Sequence, residues 1–150
     1  MNLQFRYETA WLRFSHPMVF EHFALNVPDA RAAAAWYAAH LGLTVARARS
    51  DPPFTHFLAD GTGRVFIELY TNPADPVPDY ARQHHLRVHF AFTVRDARAE
   101  RVRLEQAGAT AGVEEQLPDG SRLIMLRDPW GVPVQLCQRA QPFASPAAPA

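Results

Sequence analysis

Along Phe23-Ala24-Leu25-Asn26-Val27 bulky apolar residues alternate with small or polar ones, the two-residue period of a strand with one buried face. The spacing predicts a strand over 20–27, with Phe23, Leu25 and Val27 on one face and His22, Ala24 and Asn26 on the other. Asp29, after Pro28, caps a predicted helix that runs through the alanine-rich stretch to His40 and stops at Gly42. Trp36, Tyr37 and Leu41 supply the bulk that the alanines lack. Three more strands are predicted at 43–48, 54–59 and 64–71, with Asp60-Gly61 as the turn between the last two. Pro73, Pro76 and Pro78 then end regular structure and are expected to hold a linker extended over 72–86. Beyond it the order recurs: a strand at 87–94, a helix capped by Asp96 and ending at Gly108, and strands at 109–115, 122–127 and 132–138. Asp119-Gly120 and Asp128-Pro-Trp-Gly131 mark the turns.

The recurrence is also literal. His22-Phe-Ala-Leu-Asn-Val-Pro-Asp-Ala-Arg31 returns as His89-Phe-Ala-Phe-Thr-Val-Arg-Asp-Ala-Arg98, seven of ten residues identical at an offset of 67. Glu68 and Gln135 stand at the same offset, so each histidine precedes its polar counterpart by 46 positions. A fixed internal period implies duplicated units. The expected organisation is an N-terminal extension over 1–19, module one over 20–71, the linker over 72–86, module two over 87–139, and an Ala/Pro-rich tail over 140–150. In the extension Leu3, Phe5 and Tyr7 alternate with polar residues, which fits either a short extra strand or a loosely attached leader. The tail is expected to be disordered, because it has little apolar surface to bury.

Composition narrows the partners. Fifteen acidic residues balance fifteen basic ones, which argues against a nucleic-acid backbone or an anionic membrane as the target. All fifteen bases are arginine, so no lysine is present to form a Schiff base. Cys137 is the single cysteine and cannot form an internal disulfide. No apolar run is long enough to span a bilayer, the first residues do not read as a signal peptide, and a cytoplasmic location is the expectation.

The chemistry lies on the polar faces of the strands. His22, Glu68, His89 and Gln135 all fall opposite the faces that carry Phe23, Ile67, Phe90 and Val134, and the small neighbours Ala24 and Ala91 leave room above them. A lone histidine in such a place is more often a hydrogen-bonded core residue, but the repetition with Glu68 in step shifts the balance to metal ligation. Two imidazoles, a carboxylate and an amide oxygen suit a divalent ion such as Mn, Fe, Co, Ni or Zn. Gln135 is the weakest donor of the four, and Glu68 doubles as the candidate proton carrier. Tyr70, two residues beyond Glu68, and Arg127 are candidate substrate contacts. His84 and His85 sit in the linker and read as surface residues; Cys137 reads as a small core residue.

Paired βαβββ modules, a histidine near the first strand of each, and Asp128-Pro-Trp-Gly131 just before Gln135-Leu136 resemble the vicinal oxygen chelate superfamily. That superfamily includes glyoxalase I, methylmalonyl-CoA epimerase, extradiol dioxygenases, and the fosfomycin and bleomycin resistance proteins. The resemblance covers about residues 20–139 and implies an α+β fold, two modules forming a paired, curved mixed sheet with helices on the outer face. It also implies that the four polar residues line one hollow. In glyoxalase I the positions matching Glu68 and Gln135 are both glutamate. In extradiol dioxygenases and fosfomycin transferases the glutamate stands at the position of Gln135, and methylmalonyl-CoA epimerase has glutamine and glutamate exchanged relative to this chain. The implied activity is Lewis-acid chemistry on a small oxygenated substrate, with isomerase or lyase proton transfer favoured. The alternatives are a metal-free ligand-sequestering protein of the bleomycin-resistance kind and an Fe(II)-dependent dioxygenase. A homodimer is implied as well, with modules side by side in one chain or exchanged between chains.

Overall fold

The computed structural model describes residue 18 and residues 20–143. The possible strand near Leu3 and the tail from 144 onward lie outside the described residues. Two βαβββ modules are present: β1 (Phe23–Asn26), α1 (Ala30–Leu41), β2 (Thr44–Ala48), β3 (His56–Ala59) and β4 (Val65–Tyr70), then β5 (Phe90–Thr93), α2 (Ala97–Gln106), β6 (Thr110–Gln116), β7 (Arg122–Arg127) and β8 (Pro133–Gln138). Each module folds into a four-stranded mixed sheet, in the orders β1-β4-β3-β2 and β5-β8-β7-β6. This is the α+β, paired-module architecture that the repeat implies.

Local chemistry sets the element ends. The Asp29 carboxylate accepts from the backbone N–H groups of Arg31 and Ala32, both at 3.0 Å, and Asp96 does the same for Arg98 and Ala99. Each cap satisfies donors that the first helical turn cannot. Gly42 ends α1 with φ of 69°, a left-handed conformation that a side chain would resist. The strands are shorter than the alternation suggests. β1 begins only at Phe23, and β3 only at His56, because Phe54 has φ of 56° and breaks the extended run. The linker departs further from expectation: turns fold it back on itself, with Tyr80 N–H bonded to Pro78 O and Arg87 N–H to His84 O.

The two modules share one register. β1 runs parallel to β4 with Ala24 opposite Glu68, and β5 runs parallel to β8 with Ala91 opposite Gln135. Beneath module one, Leu25, Val27, Leu58, Ile67 and Leu69 are buried against Ala30, Ala33, Ala34 and Tyr37 of α1. The modules join through these same apolar faces. Phe23 lies 5.9 Å from Phe90 and Phe66 5.9 Å from Phe92, ring centroid to centroid, while Trp36 Nε1 donates to Ala107 O at 2.8 Å. Phe66 reaches this cluster because the register shifts between Leu58 and Ala59, opposite Ile67 and Val65.

One polar contact is buried at the junction. Tyr37 O–H donates to Asp128 Oδ2 at 2.7 Å, and Asp128 Oδ1 accepts from Trp130 N–H and Val132 N–H at 2.9 and 2.8 Å. Burial pushes the Asp128 carboxyl above the usual carboxylate range, despite the donors that pull it down. Burial, reinforced by Asp128, likewise holds the Tyr37 phenol well above its ordinary value. For Asp128 the folded value exceeds the unfolded one, so its contribution is fully present below the ordinary range of about 4 and is lost as pH rises through the folded value. Asp128→Asn removes that titration. In urea unfolding at a series of pH values, stability of the natural chain relative to Asp128→Asn should therefore fall as pH rises above about 4. A pH-independent difference would contradict the assignment. Asp128→Ala strands three donors and should cost on the order of 3 kcal/mol.

Candidate functional site

His22 immediately precedes β1, and Glu68 occupies the adjacent strand β4. The pair meets, with His22 Nε2 3.2 Å from Glu68 Oε2. The other imidazole nitrogen, Nδ1, stands 2.8 Å from Glu21 Oε2. Both nitrogens thus face carboxylate oxygens, which only accept, so the ring either donates through both or donates through Nδ1 alone and presents the Nε2 lone pair to a cation shared with Glu68. In the second state two acceptors face each other across 3.2 Å, a spacing into which a positive centre fits. Phe57 meets the His22 ring edge-on, with centroids 5.2 Å apart, and fixes its plane from the side.

His89 repeats half of this arrangement. Its Nδ1 lies 3.1 Å from His85 O, again an acceptor, which leaves Nε2 as the lone-pair nitrogen. The ring is exposed. Gln135, opposite Ala91, accepts from the Cys137 thiol at 3.4 Å. Burial pushes that thiol up, so Cys137 stays protonated and behaves as a small core residue.

Within one chain the four residues do not gather around one hollow. Among the described residues, no group of three or more His, Cys, Asp and Glu side chains is arranged to hold a metal ion. Strand alternation supplies the reason. The modules meet through the faces carrying Phe23 and Phe90, so the adjoining His22/Ala24 and His89/Ala91 faces point away from that contact. The chain therefore carries a His22–Glu68 contact in module one and, at the equivalent positions of module two, His89 and Gln135 with separate partners.

Tyr70 lines a recess of about 250 Å³ beside Ala24, together with Asn26 and Tyr80. Tyr80 O–H donates to Asn26 O at 2.9 Å, and burial, then the proximity of Tyr70, pushes its phenol up to about 12. Asn26 ties the linker down: its Nδ2 donates to Asn72 O and Asp75 O, and its Oδ1 accepts from Asn72 N–H. The repeat carried a signal for this, since Asn26 is one of the few positions at which the duplicated decapeptide differs, with Thr93 as its counterpart. Arg127, the other candidate contact, is engaged by backbone carbonyls. Its guanidinium donates to the carbonyls of Tyr80 at 2.6 Å, Gly131 at 2.9 Å and Gln83 at 2.7 Å, and clamps the linker onto module two. Gly131, with φ of 84°, admits the linker closely, for a Cβ there would stand 2.8 Å from Ala81 N.

Sequence and structure comparisons agree with this architecture. The family described as the Glyoxalase/Bleomycin resistance protein/Dioxygenase superfamily matches residues 19–136. No curated protein matches the chain in sequence. Lactoylglutathione lyase from Agrobacterium tumefaciens is 23% identical, with 81% of this chain and 94% of that one covered at a TM-score of 0.58. The trypanothione-dependent glyoxalase I of Leishmania major is 20% identical, covering 81% of this chain and 86% of its own, with a TM-score of 0.62. An antibiotic binding protein from a Streptomyces species is 19% identical, with 85% and 98% covered and a TM-score of 0.61. At these identities the likeness is one of fold. No helix among the described residues is long and apolar enough to cross a membrane.

The clamp is open to test. Arg127→Ala removes three charge-assisted hydrogen bonds and should cost about 2–3 kcal/mol in urea unfolding. Trypsin should cut faster after Arg82 or Arg87 in that variant. Arg127→Lys, which keeps the charge but not the fork, should fall between the two. Unchanged stability and cleavage in the alanine variant would rule the clamp out.

Proposed function

Because the chain belongs to the glyoxalase/bleomycin resistance protein/dioxygenase superfamily, we propose that it is a divalent-metal-dependent enzyme that works as a homodimer on a small oxygenated substrate, by isomerase- or lyase-type proton transfer. The observation that carries this reading is the His22–Glu68 pair, with Nε2 and Oε2 3.2 Å apart and Nδ1 tied to Glu21. Two neighbouring ligands, each about 2.1 Å from a common ion, stand roughly 3 Å apart, so the pair fits a shared cation. The tethered Nδ1 is the outer contact that orients a ligating imidazole. An imidazole–carboxylate set suits Mn, Fe, Co, Ni or Zn.

His22 and Glu68 of one copy would hold the ion together with His89 of a second copy, with Gln135 as a further or outer contact. The placement of these four residues supports exchange of modules between chains over pairing within one. β1 and β5 are both edge strands and need covering, and the polar faces beside them point away from the contact inside the chain. A bound divalent ion would supply Lewis-acid polarisation of a substrate oxygen. Glu68 takes or returns the proton at the carbon beside that oxygen. Gln135, a neutral amide, orients the substrate without moving a proton, and Phe57 shields His22 from water on one side. One observation favours a second reading, sequestration of a ligand without chemistry: a single chain assembles only two good donors.

Metal content and mixing discriminate between these readings. His22→Ala, His89→Ala and Glu68→Gln should each lower metal affinity markedly, with non-additive effects. Gln135→Glu should tighten binding. In an exchanged dimer, co-expressed His22→Ala and His89→Ala chains leave one site with both histidines lost and the other intact. The purified heterodimer should therefore regain close to half the metal of the natural dimer, while each variant alone has little. Retention of full metal by either single variant would sink the two-module site; no metal affinity in the natural chain would favour the binder. Light scattering should give a dimer at micromolar concentration.

A further inference from the structure

We propose that the open cavity beside His22 selects a substrate bearing an anionic group, a carboxylate above all, on a flat unsaturated body. Its role in selecting a substrate rests on the enzymatic reading above; the binding preference itself does not.

The argument begins with register. Ala24 pairs with Glu68, Glu68 with Phe57, and Phe57 with Arg47, so one straight row crosses all four strands of module one. Paired residues share a face, which places Phe57 and Arg47 on the side that carries Glu68. Adjacent strands lie about 4.8 Å apart, so the backbones of Glu68 and Arg47 are separated by about 10 Å, with Phe57 between. Over the Phe57–Arg47 end of this row opens a cavity of about 640 Å³, lined chiefly by Phe57, Arg47, Arg64, Phe20, Glu21 and Val65.

Charge inside the cavity favours an anion. Its one carboxylate, Glu21, is already engaged with His22 Nδ1. Arg64 donates to Phe20 O at 3.0 Å, and its guanidinium stands 5.7 Å from the Phe20 ring centroid. Arg47 has no hydrogen-bonded or ionic partner among the described residues. Two guanidinium groups therefore line the space against the one carboxylate of Glu21. Arg47, two strands away from Glu68, stands at the end of the row where an anion is farthest from that second carboxylate. A guanidinium fork matches a carboxylate in shape. Phe57 and Phe20 provide apolar ring surface for a flat body between the His22–Glu68 pair and Arg47.

Module two does not repeat this feature. The corresponding row there reads Ala91, Gln135 and Met125, and the residues opposite Met125 fall in the register shift at Gly112 and Val113. Neither an aromatic ring nor a cation stands in that row. The duplication copies the polar pair and not the Phe57–Arg47 extension, so anion selection belongs to module one.

The test uses full-length protein freed of metal with EDTA, so that its result does not depend on metal binding. The probes are 4-methoxybenzoate and its neutral isostere 4-methoxybenzamide, followed by calorimetry or by NMR shifts. The acid should bind about tenfold more tightly than the amide, as one charge-assisted pair at a solvent-open site allows. Arg47→Gln, on an exposed strand, should fold normally and reduce that preference to within about twofold. Phe57→Leu should weaken both probes while keeping their ratio, and Arg82→Gln in the linker should change nothing. Equal binding of acid and amide, no saturable binding of either, or an undiminished preference in Arg47→Gln would each overturn the proposal. If instead His22→Ala leaves metal content untouched while the acid preference persists, the metal reading fails and the anion site stands.

Discussion

The contact between Phe23 and Phe90 decides what the remaining side chains of the two sheets can do. A strand has two faces, and a residue committed to one commits its neighbours to the other. Once the apolar faces of the modules are pressed together with α1 and the Phe66–Phe92 pair, His22, Glu68, His89 and Gln135 are left on faces turned outward from that contact. The hydrophobic effect, which is indifferent to chemistry, thus sorts the polar residues into one set per module. The Tyr37–Asp128 contact and the Trp36 bond to Ala107 O then fix how the modules sit, because both are directional and the first is buried.

The linker is part of the structure and not a tether. Arg127 gathers three of its neighbours' carbonyls, Asn26 gathers the start of the linker, and Gly131 lets Ala81 approach where any side chain would collide. These contacts couple module one to module two through a segment whose proline content suggested an extended strap. They also cover the Tyr70 end of the polar face, while the Phe57 and Arg47 end of the same sheet borders an open cavity.

Much of this was legible in the sequence, and the reasons are local. The caps at Asp29 and Asp96, the stop at Gly42 and the strand alternation depend on neighbours within a few residues, so pattern alone placed the elements to within a few positions. The equivalence of Glu68 and Gln135 was legible because the duplication wrote their spacing twice, and the registers opposite Ala24 and Ala91 match it. What alternation could not tell is which faces of two modules meet, since that depends on matching shapes between segments 67 residues apart. Hence the sequence left open whether modules of one chain or of two chains bring the four polar residues around one hollow. The bonds of Arg127 to the linker were not legible for a related reason: a guanidinium has the same sequence signature whether it meets a substrate or a ring of carbonyls. Arg47 and Phe57 were passed over because nothing but strand register brings them beside Glu68.

The shared register of β1–β4 and β5–β8 has a consequence for how such a chain changes over time. A duplication inside one gene behaves like two gene copies that can never be separated by segregation or loss. Each half inherits the same scaffold, so one can be altered while the other preserves the shape. Glu68 and Gln135 hold equivalent positions and differ in this way, one half carrying a charge and the other a neutral amide on the same framework. New specificity enters such a protein through one half at a time, and the twofold relation between the halves remains as the record of where it began.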